Sequence, residues 1–129
     1  MLSGRDRLLC GIYGLLALGA LLGTWSQNIR FFRQDDNGGI TGFLEDCYAN
    51  AASSSISNDI IFVALAAIVF MVVESRRLGI GFVWAYAIGA LVIAISVTLP
   101  LFLLARQLKL AQQRTATGSV QSDPQETLP

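Results

Sequence analysis

The chain has 129 residues, enough for one domain on length alone. Apolar residues make up 53% of it and charged residues only 14%, nine Lys and Arg balancing nine Asp and Glu; the mean hydropathy is +0.57. The neutral balance argues against a nucleic-acid binder. The absence of His excludes Ser-His triads, HExxH zinc sites and His-held haem, and two cysteines are too few for a four-ligand zinc site or a disulfide framework.

Residues 1–7 form a short basic segment carrying Arg5 and Arg7. From Leu8 to Ile29 no Asp, Glu, Lys or Arg occurs, and a membrane span needs ~20 mostly apolar residues. The first span is expected at about 8–25. The segment also has the basic start and apolar core of a signal peptide, but no A-x-A cleavage site follows, so it is read as a retained helix.

The first loop, Ser26–Asn50, has a polar centre from Arg33 to Gly39 whose Asn-Gly-Gly predicts a turn. Thr41–Asn50 is expected to form a short interfacial helix, capped by Thr41, with Glu45 and Asp46 in its early turns. Phe31, Phe32, Phe43 and Tyr48 suit the headgroup zone. The loop's acidic residues lack the ligand spacing of an EF-hand, and no metal or cofactor is expected.

Ile60–Val73 is uncharged over 14 residues. Extended back past Asp59 it predicts the second span, at about 57–75. Glu74–Gly79 is a tight connection that makes the second and third spans antiparallel neighbours. Leu78–Ala105 is again free of charge, and the third span is expected at about 82–105. Residues 111–129 read as a disordered polar tail. The fold class is therefore an all-α integral membrane protein with three transmembrane helices, its membrane domain covering 8–110. A soluble bundle would need amphipathic helices to cover these runs, and the chain offers none.

With three full crossings, Arg5, Arg7, Arg76 and Arg77 lie on one side and Arg30, Arg33, Arg106, Lys109 and Arg114 on the other. Four against five barely engages the positive-inside rule; the N-terminus is assigned to the cytoplasm because Arg76 and Arg77 adjoin two helix ends. Cys10 and Cys47 lie at opposite membrane levels, too far apart for a disulfide.

Helix packing in lipid depends on small residues. Gly81, Ala85 and Gly89 recur at four-residue spacing in the third span, and Gly19 and Gly23 form a G-x-x-x-G in the first. Pro100 removes a helical donor to the Ser96 carbonyl and predicts a kink.

Asp59, Glu74, Arg77, Ser96 and Arg106 are the candidates for an intramembrane polar site. Asp59 and Glu74 are 15 residues apart, about 22 Å along a helix, so they cannot act as a catalytic carboxylate pair. Asp59 is read first as a charge complementing a helix N-terminus, then as a buried acceptor locking helices, then as a proton or ligand site. Glu74 is expected to pair with Arg77, and Arg106 to snorkel to the interface.

Asp59, the run Glu74-Ser75-Arg76-Arg77-Leu78-Gly79, Trp84, and Ser96-Val97-Thr98-Leu99-Pro100-Leu101-Phe102-Leu103 with Arg106 resemble a small bacterial membrane-protein family, frequent in cyanobacteria, catalogued as domain of unknown function 2834. Ser26-Gln27, Phe31-Phe32 and Tyr48-Ala49-Asn50 extend the resemblance, which covers Leu8 to Lys109. It implies three helices in a bacterial cytoplasmic or thylakoid membrane, and no activity.

The expected function is that of a non-enzymatic accessory or assembly subunit, partnered by the lipid bilayer and by a larger membrane complex or a second copy, with no nucleic acid. A small oligomeric transporter or channel component using Asp59 as its proton or cation site is the second reading. A membrane enzyme acting on a lipid or isoprenoid, with Asp59 or Glu74 as general acid, is the third; it requires an apolar cavity beside one of those carboxylates.

Overall fold

In the computed structural model, which describes residues 2–121, helix α1 spans Gly4–Phe32, α2 Gly39–Cys47, α3 Ala51–Leu78, α4 Val83–Gly89 and α5 Ile95–Gln121, with a π-helical segment over Ala90–Ala94 joining the last two. There is no strand among the described residues. Three helical stretches are long and apolar enough to cross a membrane: Gly4–Phe32, Ala51–Leu78 and Val83–Thr117.

Both early helices outrun their expected apolar cores because polar caps extend them. Ser3 caps α1: its Oγ accepts from the Asp6 N–H at 3.2 Å, while the Asp6 carboxylate accepts from the Ser3 N–H at 3.1 Å. This reciprocal box satisfies two donors that a helix start otherwise leaves bare. Asn50 caps α3 in the same way, its Oδ1 accepting from the Ala52 and Ser53 N–H groups at 3.0 Å each. Gly79, left-handed at φ 63°, closes α3.

The short loop helix starts earlier than the sequence suggests, and Thr41 does not cap it. Asn37 organises the turn instead: its side-chain amide donates to the Gln34 and Phe32 carbonyls at 2.6 and 3.1 Å, and its Oδ1 accepts from the Gly39 N–H at 2.7 Å. Gly38 then serves as the N-cap at φ 63°, a conformation open to glycine at little cost. The rings of Phe31 and Phe43 meet at 5.3 Å, which docks α2 on the end of α1.

The run from Val83 onward is helical, yet it is not straight. The Tyr86 and Phe102 rings lie 5.5 Å apart, whereas 16 residues of straight helix would separate their backbones by about 24 Å. A Cβ added at Gly89 would come within 2.9 Å of Thr98 Cγ2. The chain therefore folds back across Ala90–Ala94, where i→i+5 geometry is a recognised cause of sharp bends. The reversal falls upstream of Pro100, which lies within α5.

Direction follows from pairs of contacts. Phe70 meets Phe102 and Glu74 meets Arg106, both separated by 32 residues, so α3 and α5 run parallel. Met71 packs in one cluster with Ala90 and Phe102, flanked by Ile68, Ile80, Tyr86, Ile95 and Leu99. Thus α4 is the antiparallel neighbour of α3 that the tight connection predicts, and α5 returns beside it. Asp6 contacts Gln107, and Val92 lies in a groove with Trp25 and Ile29, so α1 and α5 are antiparallel.

This arrangement corrects the distribution of charge. The C-terminal half of α5 lies at the same end as the start of α1, because both Gln107 and Arg114 bond to Asp6. Arg5, Arg7, Arg76, Arg77, Arg106, Lys109 and Arg114 share that basic end; only Arg30 and Arg33 occupy the other. Four against five becomes seven against two. The stretch expected as a tail is helical as far as Gln121, and 122–129 lie outside the described residues.

Exposure is inverted relative to a water-soluble bundle. Leu15, Val69 and Leu91 are 72%, 63% and 79% exposed, while Asp6, Glu74 and Gln107 are buried.

Candidate functional site

Two carboxylates at the basic end hold the three long helices together. Asp6, in the first turn of α1, receives a hydrogen bond from Gln107 Nε2 at 2.7 Å and an ion pair from Arg114 Nη1 at 3.4 Å, both on Oδ1. Its Oδ2 accepts from the Ser3 hydroxyl at 2.7 Å. Glu74, near the end of α3, receives Arg106 Nε at 2.7 Å on Oε1 and Arg77 Nη1 at 3.4 Å on Oε2.

Both oxygens of each acid are occupied, and no buried side-chain nitrogen or oxygen lacks a partner among the described residues. Donors on both oxygens fix the orientation of each carboxylate. The chemistry of this layer is a clasp: α1 to α5 through Asp6, and α3 to α5 through Glu74.

Of the residues singled out by sequence, Glu74, Arg77 and Arg106 come together; Asp59 and Ser96 stand apart. The expected Glu74–Arg77 pair exists as the longer of two, across one helical turn. The shorter pair recruits Arg106, which reaches inward to a buried acid rather than only outward to the interface. Ser96 is exposed and makes no side-chain hydrogen bond among the described residues, whereas its neighbour Thr98 donates to the Ala94 carbonyl at 3.2 Å.

Asp59 is not at a helix start. The cap is Asn50, so Asp59 sits more than two turns into α3, beyond the reach of the terminal dipole. It is exposed and has no ion pair or side-chain hydrogen bond among the described residues.

The small residues separate in the same way. A Cβ at Gly89 would press on Thr98, so Gly89 is a genuine packing site; Gly81 lies in the connection before α4, and Ala85 is exposed. Gly19 and Gly23 meet nothing within 4 Å. Ala17 and Gly14 belong to the α1 face that meets α5, Ala17 being buried and Gly14 approaching Leu104.

Sequence reasoning missed Asp6, Gln107 and Arg114. One local signal was present, the Ser3-x-x-Asp6 spacing of a capping box. The long-range signal was not, because Asp6 and Gln107 are 101 residues apart.

Two surface cavities, of about 350 and 220 Å³, are lined by Trp25, Asn28, Ile29, Phe32, Arg33 and Val92, and by Leu2, Leu108, Ala111, Gln112 and Thr115. Neither of these two is lined by Asp59 or Glu74. No group of three or more Cys, Asp or Glu side chains able to hold a metal occurs among the described residues.

Residues 12–108 match the family described as "Protein of unknown function DUF2834". The chain belongs to this family. The matched stretch contains Glu74 and Arg106 and the whole reversal between α4 and α5, while Asp6 and Arg114 fall outside it. No curated protein and no solved structure matches the chain.

Proposed function

We propose that the chain is a non-enzymatic, multi-pass subunit of a bacterial cytoplasmic or thylakoid membrane that joins a larger membrane complex through the bare glycine face of α1. The observation carrying this reading is that Gly19 and Gly23 have open space beside them. Small residues at four-residue spacing let helix backbones approach closely in lipid, and this chain's own helices do not use that approach. The saturated clasp at the basic end supports a structural rather than a catalytic part.

The seven-to-two distribution of Lys and Arg favours the basic end, with the N-terminus, facing the cytoplasm. The acidic first loop with α2 then faces the opposite compartment.

Extraction in mild detergent followed by native electrophoresis tests the assembly. The chain should migrate with a companion, and Gly19→Leu with Gly23→Leu should release it at an unchanged melting temperature. A wild-type chain recovered only as a monomer refutes the proposal.

A second reading rests on Asp59. Fifteen residues from Glu74, it lies about 22 Å above the basic end, within the ~30 Å of hydrocarbon, exposed and without an ion pair among the described residues. An acid so placed is a candidate proton or cation site in an oligomeric transporter. That reading expects pH-dependent flux in liposomes that Asp59→Asn abolishes; absence of flux in the wild type ends it.

A further inference from the structure

We infer that the basic end is a binding rim for anionic phospholipid headgroups, formed by Arg5, Arg7, Arg76 and Lys109 with Phe82 and Trp84. The acids at this end are spent internally: Asp6 takes Arg114, and Glu74 takes Arg106 and Arg77. Arg5, Arg7, Arg76 and Lys109 remain without an ion pair or side-chain hydrogen bond among the described residues, the three arginines exposed. Positive charge is thus left over where apolar helix surface ends, and among the described residues no acid of this end pairs with these four cations.

The connection from α3 to α4 adds an independent observation. Phe82 is 89% exposed and Trp84 75% exposed, a few residues beyond Arg76. Phe82 holds φ at 59°, a left-handed conformation unusual for a bulky side chain, and its ring projects outward rather than joining the Met71–Phe102 cluster. Aromatic rings and cations together at the edge of an apolar band match the headgroup layer, rings at the glycerol level and cations on phosphate. A lipid is the occupant favoured over an acidic protein because the cations ring the helix ends where the exposed apolar surface stops. Each cation near such a surface is worth about 1 kcal/mol, a roughly five-fold preference for anionic over zwitterionic lipid.

The inference rests on the membrane reading above. Trp25→Phe leaves Trp84 as the sole tryptophan, and the full chain in that background is reconstituted into vesicles of phosphatidylcholine containing one-fifth phosphatidylglycerol. In one arm only the phosphatidylglycerol is brominated near the carbonyl end of its acyl chains; in the other, an equal amount of phosphatidylcholine is brominated instead. Quenching of Trp84 should report at least a five-fold relative preference for phosphatidylglycerol. That preference should fall toward unity in Arg5→Gln, Arg7→Gln, Arg76→Gln, Lys109→Gln protein. Should that variant not fold, wild-type protein in 1 M salt must lose the preference through screening. Equal quenching in both arms overturns the lipid rim alone; no quenching in either overturns the membrane reading with it.

Discussion

Replacing Gly89 with alanine tests the fold-back between α4 and α5. The new methyl would stand 2.9 Å from Thr98 Cγ2, where carbon atoms in contact prefer about 3.5–4.0 Å. Thr98 cannot readily yield: it is 4% exposed, and its Oγ1 is engaged with the Ala94 carbonyl. The arms must separate by more than half an ångström, and overpacking of this kind costs about 1–3 kcal/mol. Alanine returns roughly 0.5–1 kcal/mol as the better helix former, which leaves a net loss of up to about 2.5 kcal/mol. A straight helix through residues 83–105 predicts the opposite sign, a gain of up to about 1 kcal/mol from propensity alone. Thr98→Ser removes Cγ2 and should relieve the clash, so a double-mutant cycle on equilibrium unfolding in detergent micelles should return a coupling of about 1–2 kcal/mol. A stabilising Gly89→Ala, additive with Thr98→Ser, would refute the reversal.

Other outcomes follow from the same geometry. Gly89→Cys with Thr98→Cys, in a chain whose Cys10 and Cys47 are changed to Ser, should oxidise to an intramolecular disulfide. The contact brings the two Cβ atoms within about 4.5 Å, the bridging range, while nine residues of straight helix would hold them about 13.5 Å apart; mass spectrometry of the peptides decides. Phe82→Gly should raise stability in detergent by up to about 1 kcal/mol, because it removes left-handed strain at a side chain that is 89% exposed within the protein; a lower melting temperature contradicts this. Glu74→Gln keeps an acceptor for Arg106 but loses the ionic hold, and amide exchange should quicken around residues 103–110; unchanged protection there would mean that the clasp does not secure α5.

The elements that were legible in the sequence are those whose boundaries are written in charge. Arg7 and Arg30 bracket the core of α1, Asp59 and Glu74 that of α3, and Asn37-Gly38-Gly39 marks its turn without ambiguity. The reversal at 90–94 was illegible because residues 78–105 carry no charge to mark a turn, and in lipid a helix and a helical hairpin of the same residues have the same hydropathy. The candidate site was legible only in part for a related reason. Glu74 and Arg77 sit one turn apart and find each other by spacing, but the stronger partner, Arg106, depends on α5 running parallel to α3. Asp6 lay hidden between Arg5 and Arg7, in a segment whose net charge draws attention away from the acid. Once the reversal is missed, Arg106, Lys109 and Arg114 fall on the wrong side, and the charge balance that orients the bundle disappears.

The closure of Asp6 on Gln107 also sets an order of events during synthesis. Helix α1 is made before α5, and among the described residues its acid has no long-range partner until the chain has grown a further 101 residues. Throughout that interval its first turn relies on the Ser3 cap alone, and late, non-local contacts of this kind are the slow ones to form. A nascent chain arrested short of Gln107 therefore keeps α1 unclasped, and the bond between α1 and α5 is among the last that this stretch of chain can make.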